Sequence, residues 1–154
     1  MSLLLALALA AAPAAAGFDP VEFFRGRTKG DGKLKVIFQA TKSINVESVG
    51  TAGPDGTLVL KQIVAEQGKP PRTRFWQLRN EGAGRYSGTL TDAVGPVKIE
   101  TVKGRIHIRY RSKDHLDFEQ WLTPAGPKQV ENRMRVKRFG VTVAHVSETI
   151  TKLD

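Results

Sequence analysis

The sequence predicts an all-β fold: an antiparallel up-and-down barrel of about ten short strands, preceded by a short helix. Three observations predict it. From Lys33 onward, apolar and polar residues alternate in short runs with no sustained helical period. Turn signals rich in Gly and Pro divide those runs every 8–12 residues or so, roughly the spacing of a β-meander. No stretch is left for the crossover helices that a parallel sheet needs. A meander must cover its edges or remove them, and closing into a barrel is the simplest way. A two-sheet sandwich is the alternative.

The elements follow in chain order. Residues 2–16 read as an apolar run from Leu3, then Pro13 and Ala14-Ala15-Ala16. That is the pattern of a secretory signal peptide with a small-residue cleavage site, and it is too short to span a bilayer. The expected domains are therefore a signal peptide over 1–16 and a single β-barrel domain over 17–154, soluble and periplasmic. One feature departs from the pattern, since no Lys or Arg precedes the apolar core. Next, Asp19 suits a helix N-cap and Pro20 the first helical position, with Glu22 placed as in a capping box. This predicts a turn or two of helix over 20–24, with Val21, Phe23 and Phe24 inward. Gly26, Gly30 and Gly32 would break it.

Leu34, Val36, Phe38 and Ala40 share one face of a first expected strand, and Ile44, Val46 and Ser48 open a second. Gly53–Gly56 reads as a tight turn. A third strand covers Thr57–Glu66; its apolar phase changes between Leu60 and Ile63, which points to a bulge. Trp76 and Leu78 share a face of a fourth strand over Arg74–Arg79. A fifth covers Tyr86–Thr91, and Val97, Ile99 and Thr101 lie on a sixth. Ile106, Ile108 and Tyr110 alternate with charged neighbours on a seventh. Leu116, Phe118, Gln120 and Leu122 mark an eighth; Val130, Asn132, Met134 and Val136 a ninth; Val141–Lys152 the last.

The mature-chain pattern resembles a family of uncharacterised bacterial envelope proteins, many of them lipoproteins, known as domain of unknown function 3833. The carrying residues are Phe18, F-F-R-G from Phe23, G-D-G-K-L-K from Gly30 and D-G-T-L-V-L from Asp55. R-T-R-F-W from Arg72, Y-S-G-T-L-T-D-A-V-G from Tyr86 and N-R-M-R-V-K-R-F-G from Asn132 complete the set. The resemblance implies a lipocalin-like barrel and no assigned activity. The chain departs from the lipoprotein members in lacking a lipobox cysteine, which favours a soluble exported protein.

The 154 residues contain no Cys, which removes disulfides, thiolate metal sites and a cysteine nucleophile. Hydrophobic residues at 40% and charged ones at 25% fit one globular domain and not a disordered chain. His107, His115 and His145 show no close metal-ligand spacing, and no nucleophile elbow or phosphate-binding loop is present. No catalytic residue, metal or cofactor is therefore expected, and the protein is read as a non-enzyme.

The first functional reading is a binding module that holds a lipid or other apolar or amphipathic small molecule. Trp76, Tyr86, Ile108, Tyr110, Phe118, Gln120, Asn132 and Met134 would line its cavity, the amides of Gln120 and Asn132 orienting the ligand. Arg74 beside Trp76 is read as a clamp closing one barrel end. The alternative follows from the net charge of +9. Lys103, Arg105, Arg109 and Arg111 form one basic group, and Arg133, Arg135 and Lys137 another. Both fall on the face opposite the apolar set, where they would dock an accessory protein on an anionic membrane surface. Nucleic acid is disfavoured by the leader and by aromatics that sit away from the basic face.

Overall fold

A computed structural model describes residues 17–154; the expected signal peptide lies outside the described residues. One short helix, α1 (Pro20–Phe23), precedes ten strands. These are β1 (Gly26–Val36), β2 (Lys42–Ala52), β3 (Leu58–Glu66), β4 (Arg72–Gly82) and β5 (Arg85–Leu90). They continue as β6 (Val97–Val102), β7 (Arg105–Arg111), β8 (Leu116–Pro124), β9 (Gln129–Arg138) and β10 (Val141–Lys152). Each strand pairs antiparallel with the next, and β1 pairs with β10 from Thr28 opposite Lys152 to Val36 opposite Ala144. That last ladder closes the barrel and leaves no edge strand. Among the described residues no helix is long and apolar enough to cross a membrane.

Alternation sets which side chains fill the interior. Leu58, Ile106 and Val130 are fully buried, and Trp76, Leu78, Ile108 and Leu122 join them. Asp19 caps α1 by accepting a hydrogen bond from the Val21 amide at 2.9 Å. The helix plugs the lower end, where Phe18, Phe23 and Phe24 pack edge to face. Gly50 permits this approach. A Cβ there would collide with the Phe24 carbonyl oxygen.

Several sequence expectations need correction. β1 begins at Gly26, seven residues before the alternation becomes visible, so Gly26, Gly30 and Gly32 lie within a strand. Phe38 and Ala40 are not in it. They belong to the β1–β2 turn, and Phe38 has a left-handed backbone (φ 61°) and a fully exposed ring. β3 carries no bulge, and its pairing with β2 and β4 runs unbroken. The phase change arises because Gln62 points inward and Ile63 outward. The register instead shifts at Asn80/Gly82 and at Thr142/Ala144. Glu22 does not complete a capping box; it faces Arg25 at 3.3 Å.

Candidate functional site

The interior is built from two unlike walls. On β5, β6 and β7 it is apolar, with Ile99, Ile106 and Ile108 facing inward beside Tyr86. Across from them, strands β4, β3, β2, β1, β10, β9 and β8 each contribute one polar residue, an arc set among the apolar Val46, Leu60, Trp76, Leu78, Leu122 and Ile150. The polar members are Arg74, Gln62, Ser48, Thr28, Glu148, Asn132 and Gln120. Thr28, Ser48, Gln62, Gln120, Asn132 and Glu148 are all buried. Pro20 and Phe24 of the α1 region form the floor. The cavity between the walls is small, about 50 Å³.

Register explains how the arc is assembled. Ser48 faces Gln62 across β2–β3, and Gln62 faces Arg74 across β3–β4. Gln62 then ties three groups together. Its Oε1 accepts from Arg74 Nε at 2.7 Å and from Trp76 Nε1 at 2.8 Å. Its Nε2 donates to Ser48 Oγ at 3.2 Å. On the other side Asn132 and Glu148 are direct partners across β9–β10, and Asn132 Nδ2 donates to Glu148 Oε1 at 3.0 Å. The Glu148 carboxyl lies over Gly30, where any Cβ would run into it. Burial pushes that carboxyl above the usual carboxylate range, against the Asn132 hydrogen bond and the Arg74 charge, which pull it down. Asn132 Oδ1 is buried with no partner. A buried acceptor left open is uncommon and marks where an incoming donor would gain most.

Above the cavity an aromatic stack fills the barrel. Tyr110 lies parallel to Phe118 at 4.7 Å and edge-on to Trp76 at 5.9 Å. Burial raises the Tyr110 phenol. At the floor, burial and the neighbouring Asp19 carboxylate push the Tyr86 phenol up to about 12.

Of the expected cavity residues, Trp76, Tyr86, Ile108, Gln120 and Asn132 line it. Tyr110, Phe118 and Met134 do not. They have the inward phase but lie above the cavity, Tyr110 buried and the other two half-buried. Thr28, Ser48, Gln62 and Glu148 of the arc and Ile99 and Ile106 of the apolar wall are not among the expected cavity residues, and Arg74, expected as a clamp at one barrel end, lines the cavity. Glu148 had a visible signal, because it shares its phase with Ala144, Val146 and Ile150.

The basic residues face outward, but acids from β8 are interleaved among them. Arg111 pairs with Asp117 at 2.8 Å and Arg135 with Glu119 at 2.7 Å. Arg135 and His107 hold the Glu119 carboxyl below its usual range. Arg105 lies over the Trp121 ring, 4.3 Å from its centroid, and Arg133 reaches Ser147. Lys103, in the β6–β7 turn, is at the α1 end, while Arg109 is exposed mid-wall and Lys137 is half-buried nearer the other end. Arg109, Arg111, Arg135 and Lys137 line one surface depression together with Lys98, Asp117 and Glu119, while Lys103 stands apart from it. His107 stacks on Trp121 outside the barrel at 4.1 Å, and among the described residues no group of three His, Asp or Glu stands close enough to hold a metal.

The closed antiparallel barrel with its plugged floor is a lipocalin-like, calycin-type fold. The chain belongs to the family described as "Protein of unknown function (DUF3833)", which it matches over residues 10–152. Among solved structures it is similar to an S-type phycobiliprotein lyase from Guillardia theta. The TM-score is 0.70 at 9% identity, covering 87% of this chain and 90% of that one. It is also similar to a de novo designed fluorescence-activating β-barrel, with a TM-score of 0.47 and 12% identity over 88% of this chain and 98% of the design. Among curated proteins no relative matches.

Proposed function

We propose that this protein is an exported envelope barrel that binds an amphipathic small molecule in its interior. The observation that carries the reading is the amphipathic interior, a polar arc within largely apolar walls that bears an unpartnered acceptor, Asn132 Oδ1. The apolar wall takes the ligand's body, and the arc takes its polar edge. Arg74 and Glu148 carry opposite charges on that arc, so the favoured head group is neutral and donates hydrogen bonds, as a hydroxyl or amide does. A body larger than the small cavity fits only if α1 lifts, because Pro20 and Phe24 form the floor. Periplasmic export, through cleavage after Ala16, belongs to this proposal and is checked by the N-terminal mass of the exported protein.

Binding is preferred to catalysis because Glu148 is the one carboxylate on the cavity wall and no His shares it. The fold is shared with a protein named a lyase, so the fold alone does not separate the two. Docking through the basic outer wall is the weaker reading, given the acids interleaved there.

The test uses a Trp121→Phe variant, which leaves Trp76 as the sole indole and the cavity's own reporter. Octanol and octanamide should change its fluorescence at lower concentration than octanoate or octylammonium do. Equal response to all four, or none to any, would refute the proposed site.

A further inference from the structure

We infer that the barrel end opposite α1 is a docking surface for an anionic lipid bilayer, inserted by two aromatic hairpin tips. The two tips are the β1–β2 and β9–β10 turns. They are neighbours because β1 pairs with β10, and the Ile37 amide donates to the Val143 carbonyl at 2.9 Å. Each presents an aromatic ring to solvent: Phe38 is 99% exposed and Phe139 79%. Ile37 and Val141 beside them are also exposed. The four stand as a cap on two neighbouring convex turns, not in a groove.

Two independent features set this cap apart from incidental exposure. First, both rings sit on left-handed backbone, Phe38 at φ 61° and Phe139 at φ 48°. That conformation is costly for a bulky side chain, and here neither ring repays it by burial in the barrel. Asn or Gly would fill such turns without strain. Second, the surrounding charge is predominantly positive. From Lys33 to Asn45 and from Arg133 to Ser147 the chain contains Lys33, Lys35, Lys42, Arg133, Arg135, Lys137 and Arg138, and no acid. Arg138 lies over the Phe139 ring at 5.6 Å, and His115 from the adjacent turn stacks against it. Asp114 in the β7–β8 turn and two acids of β8 offset part of this charge, Asp117 lying opposite Lys137 and Glu119 pairing with Arg135 at 2.7 Å.

An aromatic cap collared by cations matches the two components of interfacial attachment. The rings enter the acyl boundary, and the cations meet the phosphate headgroups. The collar's positive excess complements a surface that is uniformly negative. The site lies at the opposite barrel end from Lys103 and is independent of what the interior holds.

The test is flotation of the purified protein with vesicles of phosphatidylcholine, alone or with about one-third phosphatidylglycerol. The wild type should float with the anionic vesicles and be released at high salt. Phe38→Asn with Phe139→Asn keeps residues that tolerate the left-handed backbone, and should lower partitioning at least about tenfold with an unchanged melting temperature. Lys103→Glu, at the α1 end, should stay within about twofold of wild type. A Phe38→Trp variant should shift its fluorescence to the blue on anionic vesicles. Equal flotation of the double-Asn variant and wild type would overturn the inference, as would wild type that ignores anionic vesicles. Sedimentation showing a dimer that the double-Asn variant abolishes, without vesicle binding, would also overturn it and assign the cap to a second copy.

Discussion

Replacing Gln62 by leucine removes one amide that satisfies three partners, and the structure allows the cost to be worked out. Arg74 Nε loses an acceptor at 2.7 Å and Trp76 Nε1 one at 2.8 Å. The Ser48 hydroxyl loses a donor but can rotate to another partner. A buried N–H left without an acceptor costs about 1–3 kcal/mol, and a charged donor sits at the upper end. Leucine regains part of this through its apolar surface, so Gln62→Leu should destabilise by about 3–4 kcal/mol. That is a large fraction of the ~5–15 kcal/mol typical of a domain. In urea unfolding, with a slope of about 2 kcal/mol/M, the midpoint should fall by about 1.5–2 M at constant slope. Gln77→Leu, outward-facing on β4, serves as the control and should stay within ~0.5 kcal/mol. A Gln62→Leu midpoint within ~0.3 M of wild type would show that the polar arc is not the connected network described here.

Three further expectations follow from the same geometry. The Glu148 carboxyl is raised by burial, so the folded state holds that proton more tightly than the unfolded chain does. Its contribution to stability is therefore fully present below the unfolded carboxyl range and is lost as pH rises through the folded value. Glu148→Gln should remove that slope and be more stable than wild type at neutral pH, by about 1.4 kcal/mol for each unit of the carboxyl's elevation; urea midpoints measured across acid and neutral pH for both proteins check the sign. The chain has two tyrosines, and both phenols are raised, Tyr86 to about 12. Ultraviolet titration of the native protein should thus show almost no tyrosinate at pH 10 or so, whereas a half-amplitude step near that ordinary value would contradict the burial of one of them. Gly50→Ala drives a Cβ into the Phe24 carbonyl oxygen and should lift α1. Hydrogen exchange in residues 18–25 should then rise toward solvent rates while the β7–β8 ladder stays protected, and uniform protection in both would argue against α1 as a separable plug.

The strands were legible because a half-buried sheet writes period two into the sequence, and Ile106-His107-Ile108-Arg109-Tyr110 is the plainest instance. What alternation cannot encode is height along the barrel axis. Tyr110, Phe118 and Met134 have the right face and the wrong level, so they fill the barrel above the cavity. Polar residues in an inward phase were the second obstacle. Gln62 stands between Leu60 and Val64 and looked like a break in the strand, when it is the hub of the arc. Gly30 was read as a helix breaker because its reason lies on β10, where Glu148 needs the space a side chain would occupy. The tips misled in the opposite sense. Phe38 continues the apolar phase of β1 by sequence, yet the chain has already turned.

Whether the interior takes a small amphipathic molecule is read out by native against denaturing mass spectrometry of protein incubated with a lipid and small-molecule extract of its expression host. The wild type should carry an extra non-covalent mass that is released on denaturation. Ile106→Phe, which adds volume at the cavity wall, should carry little or none of it. A wild-type spectrum with no added mass, or an adduct equally abundant in Ile106→Phe, would contradict the account.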